Sequence, residues 1–177
     1  MNSSAEAAKK QWNKTPCGVG DHLSELEEET LDWFKQISSS RYDVTDQWII
    51  NSIDFNQAKN KTLLEIGHGV GTDLVRWAEH GAKTHGIDIT ENHHRLAKKN
   101  FLLRDLQCEL KLCSANSIDY PDEYFDVVYS NGVIHHISDS TEVADEIHRI
   151  LKPGGKVIVA VYNKHSAYYY FVLLFFN

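Results

Sequence analysis

The chain has 177 residues, 42% of them hydrophobic and 24% charged, which is the balance of an ordinary soluble protein long enough for one domain with a real core. Its 18 Lys and Arg against 25 Asp and Glu give a formal charge of −7, which argues against a dedicated nucleic-acid binder with a basic face. Three cysteines (Cys17, Cys108 and Cys113) with no C-x-x-C argue against a disulfide framework or a zinc knuckle, and read as the reduced thiols of a cytoplasmic protein.

The N-terminal MNSSAEAAKKQW has no apolar core and is not a signal peptide. Residues 1–60 are predicted to form a helical cap or arm. In DHLSELEEETLDWFKQIS (21–38), Leu23, Leu26, Trp33, Phe34 and Ile37 recur at helical spacing, with Asp21 as N-cap and glutamates in the early turns. A second helix is predicted over 42–55, burying Trp48, Ile49, Ile50 and Ile53.

From residue 61 the pattern alternates. Strands are predicted at 61–67, 82–89, 108–114, 124–130 and 156–162. Helices are predicted at 72–81, closed by Gly81, at 90–105, capped by Thr90, and at 139–151, stopped by Lys152–Pro153–Gly154–Gly155. Strands separated by single helices give right-handed βαβ units. The expected fold is α/β, a doubly wound, mainly parallel, Rossmann-like sheet over 61–162, with helices on both faces and the helical cap in front. Residues 163–177 form a hydrophobic aromatic tail. Its run AYYYFVLLFF (167–176) is too short to cross a bilayer.

In such a sheet the ligand lies beyond the carboxyl ends of the strands, next to the first one. Gly67–His68–Gly69–Val70–Gly71 occupies that place, between strand and helix. Glycines permit a tight turn and a close ligand, and the helix start offers free N–H donors. Against the dinucleotide fingerprint G-x-G-x-x-G/A, Gly67 and Gly69 fit, but the sixth position is Thr72 and Gly71 falls one residue early. Glu65 stands two residues before the first glycine, where a carboxylate would repel a pyrophosphate. Asp88, 21 residues after Gly67, can accept two ribose hydroxyls.

Taken together, four segments carry a resemblance. E-I-G-H-G-V-G (65–71) resembles the acidic-x-G-x-G-x-G first motif of class I S-adenosylmethionine-dependent methyltransferases of the type 11/12-like kind. G-I-D-I-T (86–90), YPDEYFDVVYSNGVIHHI (120–137) and RILKPGGKVIV (149–159) resemble that family's second strand, fourth-strand region and fifth strand, in family order. The resemblance implies S-adenosylmethionine as cofactor. It implies Glu65 toward the methionine ammonium, directly or through water, and Gly67, His68, Gly69, Gly71 and Thr72 around the turn. His68 would give a backbone N–H and an outward side chain at the rim. Asp88 would take the ribose, and Ile89 would pack on the adenine. The third-strand end, Ser114–Ala115–Asn116, departs from the family: many members have an Asp where Ser114 aligns, so the adenine amino contact falls to a neutral serine or to Asn116. Ser130, Asn131 and Gly132 would lie beneath the methyl donor.

Of ten histidines, His93–His94 and His135–His136 are adjacent pairs, which is poor ligand spacing, and no metal site is expected. His93 and His94 read as solvated helix residues. His135 and His136 follow the fourth strand and are the candidate catalytic residues, either serving as general base near neutral pH. The alternative is a loop-shaping role, because in-line displacement from a sulfonium needs positioning more than a base. Thr15–Pro16–Cys17–Gly18 precedes the glycine turn and is misplaced for a cytosine methyltransferase nucleophile. Trp12–Gly18 resembles an N-terminal segment of some uncharacterised methyltransferases. There it is either a lid that places Trp12 or His22 in the pocket, or a surface arm.

The family's usual seven strands are not all accounted for, so a chain truncated after the fifth strand is expected. That leaves an uncovered sheet edge and a homodimer through the edge or the tail. The partners expected are a small-molecule methyl acceptor, with neither nucleic acid nor membrane. The competing readings are a non-catalytic S-adenosylmethionine or S-adenosylhomocysteine module, an inactive truncated chain, and an NAD(P)-dependent oxidoreductase, which lacks a Y-x-x-x-K pair here.

Overall fold

The computed structural model describes residues 3–163 except 15, 17, 21 and 22. Cys17, the Asp21 cap, His22 and the aromatic tail beyond 163 therefore lie outside the described residues. Five strands run β1 (Thr62–Ile66), β2 (Lys83–Asp88), β3 (Glu109–Leu112), β4 (Phe125–Asn131) and β5 (Leu151–Ala160). They form one sheet in the order β3-β2-β1-β4-β5, every pair parallel. The order reverses between β1 and β4, so the crevice of the doubly wound sheet opens at their carboxyl ends.

Alternation along β1 sends its side chains to two cores. Leu63 joins Leu74, Val75 and Trp77 of α4 (Thr72–Glu79), Phe101 of α5 (Glu91–Leu103), and Val127 and Tyr129. Leu64 and Ile66 join Ile87, Val128, and Val143, Ile147 and Ile150 of α6 (Ser140–Ile150). Helices thus cover both faces.

The N-terminal region is helical but more broken than the two helices predicted there. It holds α1 (Ser3–Lys14), α2 (Leu31–Ser39), a π-helical turn (Ser40–Thr45), α3 (Gln47–Ser52) and a 3-10 turn (Phe55–Ala58). The predicted helix 21–38 starts only at Leu31, where the Thr30 side chain accepts from the Trp33 N–H. Leu23 and Leu26 still pack with Trp33, Phe34 and Ile37, but from the turn before it. Upstream, Glu29 is at φ 61, a left-handed conformation that no helix continues through. The predicted helix 42–55 is interrupted at Asp46 (φ −128, ψ 39). Ile49 and Ile53 are buried, but Trp48 and Ile50 are exposed at 44% and 41%, contrary to expectation, because so short a helix presents one narrow face.

Two smaller corrections concern boundaries. Thr90 stands at the N-cap of α5 without capping it; its hydroxyl donates to Asp88 instead. The fifth strand begins at Leu151, not 156. Gly154 at φ 77 lets Pro153–Gly154–Gly155 bulge within it, and the pairing with β4 shifts between Phe125 and Val127.

Candidate active site

The glycine turn is built by left-handed backbone. Gly67, Gly69 and Gly71 have φ of 75, 53 and 83. A Cβ on Gly67 would come within 2.4 Å of Val133, whereas one on Gly69 meets nothing within 4 Å. Gly69 therefore faces open space while Gly67 is pinned under the loop after β4. The Gly67 N–H donates to the Ile87 carbonyl at 2.8 Å, tying the turn to β2. From the other side, Val70 packs against Leu23, Trp33, Phe34 and Ile37 of the N-terminal region and Leu96 of α5. Thr72 is buried, and its carbonyl accepts from the Tyr42 hydroxyl at 3.3 Å.

Glu65 is 4% exposed, and its Oε2 has no hydrogen-bond partner. Burial, then the charge of Asp73, hold its carboxyl well above the usual carboxylate range, against the pull of Arg41. A buried acid left unpaired is costly unless something answers it. A cationic group arriving at the turn is the natural answer.

Asp88 ends β2 with a carboxylate already engaged. Its Oδ1 accepts from the Thr90 N–H at 2.9 Å and from the Thr90 hydroxyl. Its Oδ2 accepts from the Gly69 N–H at 3.1 Å and lies 3.2 Å from His93 Nδ1. Burial pushes this carboxyl up, but the bond from His93 and the nearby histidines bring it down to about 2. A ribose diol reaching Asp88 would exchange hydroxyls for some of these donors. Ile89 beside it is half-buried and offers an apolar surface.

Two histidine expectations are corrected. His68 is 3% exposed and points inward, not to the rim. Its Nδ1 lies 2.8 Å from its neighbour's carbonyl, its Nε2 has no partner, and its ring lies where a Cβ on Gly86 would meet it at 2.9 Å. Its own N–H is turned to the Ile87 carbonyl at 3.4 Å. Burial lowers its pKa, so it is neutral. His93 is 5% exposed and paired to Asp88, not solvated, and His94 is half-buried with its ring 6.4 Å from that of His68. The physical reason is shared: the first turn of α5 folds back over β2, so its inner side faces the turn.

At the third-strand end, Ala115 is buried in the core. The Ser114 hydroxyl pairs with Asn116, whose amide donates to the Asp139 carbonyl at 3.2 Å and to Glu142 at 3.0 Å. At the end of β4, the buried Ser130 hydroxyl donates to the Ile66 carbonyl at 3.2 Å, and Asn131 Nδ2 lies 3.4 Å from Asp73.

His135 and His136 form a 3-10 turn with Ile134, their rings 4.1 Å apart. The His135 ring also lies 4.4 Å from that of Tyr162, and His136 lies 6.2 Å from Trp12. Neither nitrogen of His135 has a partner, and burial, then the neighbouring His136, lower its pKa. Trp12 reaches this place because α1 docks on α5: Lys9 and Asn13 both bond Glu91, and Asn13 also bonds Asn92.

Sequence reasoning missed Arg41 and Asp73. Asp73 opens α4, is 3% exposed, and is gripped by the Arg41 fork. An acid in the first helical turn is visible in sequence; its arginine 32 residues upstream carries no local signal. Among the described residues, no group of three or more His, Cys, Asp or Glu is arranged to hold a metal ion.

The geometry has counterparts. A methyltransferase-domain family model matches residues 64–159, more than half of the chain. Phosphoethanolamine N-methyltransferase 2 of Caenorhabditis elegans is 33% identical over 130 residues, 72% of this chain and 29% of its own. The ubiquinone/menaquinone biosynthesis C-methyltransferase UbiE of Cupriavidus metallidurans is 27% identical over 139 residues, 71% of this chain and 57% of its own. The chain thus spans less than two thirds of these relatives' lengths. Among solved structures, a SAM-dependent methyltransferase from Aquifex aeolicus superposes with a TM-score of 0.64 at 21% identity, covering 77% of this chain and 74% of that one. The PH0226 protein of Pyrococcus horikoshii gives 0.61 at 23% identity, covering 81% and 66%. These two share the fold. With its motif order, sheet topology and family match, the chain belongs to the class I S-adenosylmethionine-dependent methyltransferases.

Proposed function

We propose that this chain transfers a methyl group from S-adenosylmethionine to a small-molecule acceptor. The observation that carries the reading is the buried, unpaired Glu65 carboxyl directly behind the glycine turn. It suits a cofactor with an ammonium and no phosphate, and it is hostile to a pyrophosphate. Bound there, S-adenosylmethionine would supply an electrophilic methyl on a good leaving group. Glu65 would hold the methionine end, with Gly67, Gly69, Gly71 and Thr72 lining the turn. Asp88 would take the ribose, Ile89 and the Ser114–Asn116 segment would flank the adenine, and Asn131 would floor the reaction centre.

The cap over residues 1–60 would then close the acceptor side, with Trp12 beside His136 supporting a lid. His135 is the better-placed base of the pair, neutral and with both ring nitrogens unpaired. It would accept a proton from an acceptor that must lose one. The net charge of −7 favours a small acceptor over a nucleic acid, and the unpaired Cys108 and Cys113 fit the cytoplasm. The relatives' acceptors, phosphoethanolamine among them, set the first panel of compounds to try.

Calorimetry with S-adenosylhomocysteine and, separately, NADH tests the cofactor. Binding of the first is expected; binding of NADH alone would sink the reading. The alternative reading is a cofactor-binding module without turnover. Tight binding with no methylation across the panel would select it. We also infer a homodimer through β5, whose Val157 and Val159 are 46% and 43% exposed, with Val161 just beyond the strand 54% exposed. A monomer by light scattering at high concentration would refute it.

A further inference from the structure

Glu65 and Tyr129 are register partners on β1 and β4, and both point to the face covered by α4 and the N-terminal region. Behind them Asp73 collects donors from two elements, the π-helical turn and β4. Arg41 Nε and Nη2 donate to its two oxygens at 2.9 and 2.8 Å. The Tyr42 hydroxyl donates at 2.7 Å, the Tyr129 hydroxyl at 2.9 Å, and Asn131 Nδ2 lies at 3.4 Å. Burial pushes Asp73 up, but Arg41's charge and this shell of bonds hold it below its ordinary value, so it is ionised. Arg41 also answers Asp46 at 3.2 Å. Its one charge is therefore shared between two carboxylates, and Glu65 is left with none of its own.

The groups that face Glu65 are few. Asp73 on α4 and Asp88 on β2 are both anionic and repel its ionised form, and among the described residues Arg41 opposes them. Tyr42 and Tyr129 stay neutral, raised by burial and by the acids around them. His68, in the adjoining turn, is neutral as well.

We propose that Arg41 and Asp73 are positioning residues that act through Glu65, setting its charge so that arrival of the cofactor's ammonium expels a proton from it. This rests on the reading that Glu65 receives the methionine ammonium. The balance is simple. No covalent bond to carbon changes, the proton passes from the Glu65 carboxyl to solvent buffer, and a carboxylate–ammonium pair replaces a neutral acid. An ammonium buried against a neutral acid would be an uncompensated charge, and this is what drives the proton out. The free protein holds the proton and the complex does not. Affinity therefore rises with pH and levels off above the free-state pKa of Glu65.

The two positioning residues pull in opposite directions. Arg41→Gln removes the cation that favours ionised Glu65, so the rise in affinity moves to higher pH. Asp73→Asn removes an anion that disfavours it, so the rise moves to lower pH. Arg41→Lys keeps the charge without the fork and holds the wild-type profile. The experiment is calorimetric titration of the full chain with S-adenosylhomocysteine across pH, in buffers of differing ionisation enthalpy. Wild type is expected to release up to one proton per ligand, and Glu65→Gln to bind without release. Binding that is independent of buffer in wild type overturns the proposal while leaving the cofactor reading intact. Failure of S-adenosylhomocysteine to bind wild type overturns the cofactor reading instead. Shifts of Arg41→Gln and Asp73→Asn in the same direction reduce both residues to structural supports and overturn their assignment.

Discussion

Gly67 and Gly69 share a positive φ but not a neighbourhood, and this separates folding from binding at single-residue scale. Gly67→Ala adds a methyl 2.4 Å from Val133 at a φ of 75. Left-handed strain plus overpacking should cost about 3 kcal/mol or more, read from denaturant unfolding. Gly69→Ala meets nothing within 4 Å and bears only the strain of its φ of 53, about 1 kcal/mol. Its methyl, however, stands in the open space at the turn, on the residue whose N–H bonds Asp88. Affinity for S-adenosylhomocysteine should therefore fall about tenfold or more, since the backbone must approach the ligand closely there. Equal unfolding costs for the two variants, or unchanged affinity of Gly69→Ala, would contradict this division of labour.

At the scale of elements, the turn before α2 is fastened to α5 by one acid. Glu29 accepts from Arg95 at 2.8 and 2.7 Å and from Lys99 at 3.0 Å. The Arg95 bond, against a small cost of burial, brings its carboxyl from 4.5 down to about 2. Because the folded value is depressed, the clamp stabilises fully above pH 4.5 and is lost as pH falls through about 2. Arg95 and Lys99 are 55% and 42% exposed, so solvent screens the pair and its worth is about 0.5–1 kcal/mol. Glu29→Gln should lower stability by that amount at pH 7, with the difference from wild type closing on acidification. A difference that persists unchanged at pH 2 would place its origin elsewhere. The same segment shows what sequence could and could not tell. Strands β1 and β4 were legible because short apolar runs end at or before a glycine. Leu23, Leu26, Trp33 and Ile37 were read as the stripe of one helix; they do pack together, yet helical spacing could not reveal that Glu29 turns left-handed between them. At the candidate site, the grouping of Glu65, the glycines and Asp88 around one turn was legible because motif spacing is local. The inward turn of His68, the His93–Asp88 pair and the Arg41–Asp73 fork were not, because packing between distant segments sets them.

At the scale of the whole molecule, the N-terminal region and the sheet do not have separate cores. Tyr42, Ile49, Ile53 and Phe55 pack with Leu63, Val127 and Tyr129, and the glycine turn's Val70 sits among Trp33, Phe34 and Ile37. A ligand seated on the turn therefore touches an element that both halves hold. Binding to the folded state alone should stabilise it by about 2.7 kcal/mol at a hundredfold excess over Kd. For a chain of this size that is a Tm increase of about 5–10 °C. Because the cores are shared, S-adenosylhomocysteine should move one cooperative transition, and amide protection should rise in α2 and α3 together with β1 and β4. The check is calorimetric melting paired with hydrogen exchange, with and without ligand. If the N-terminal amides exchange at an unchanged rate while the sheet is protected, the shared core does not couple the two. The cap would then be a cover laid on the cofactor domain.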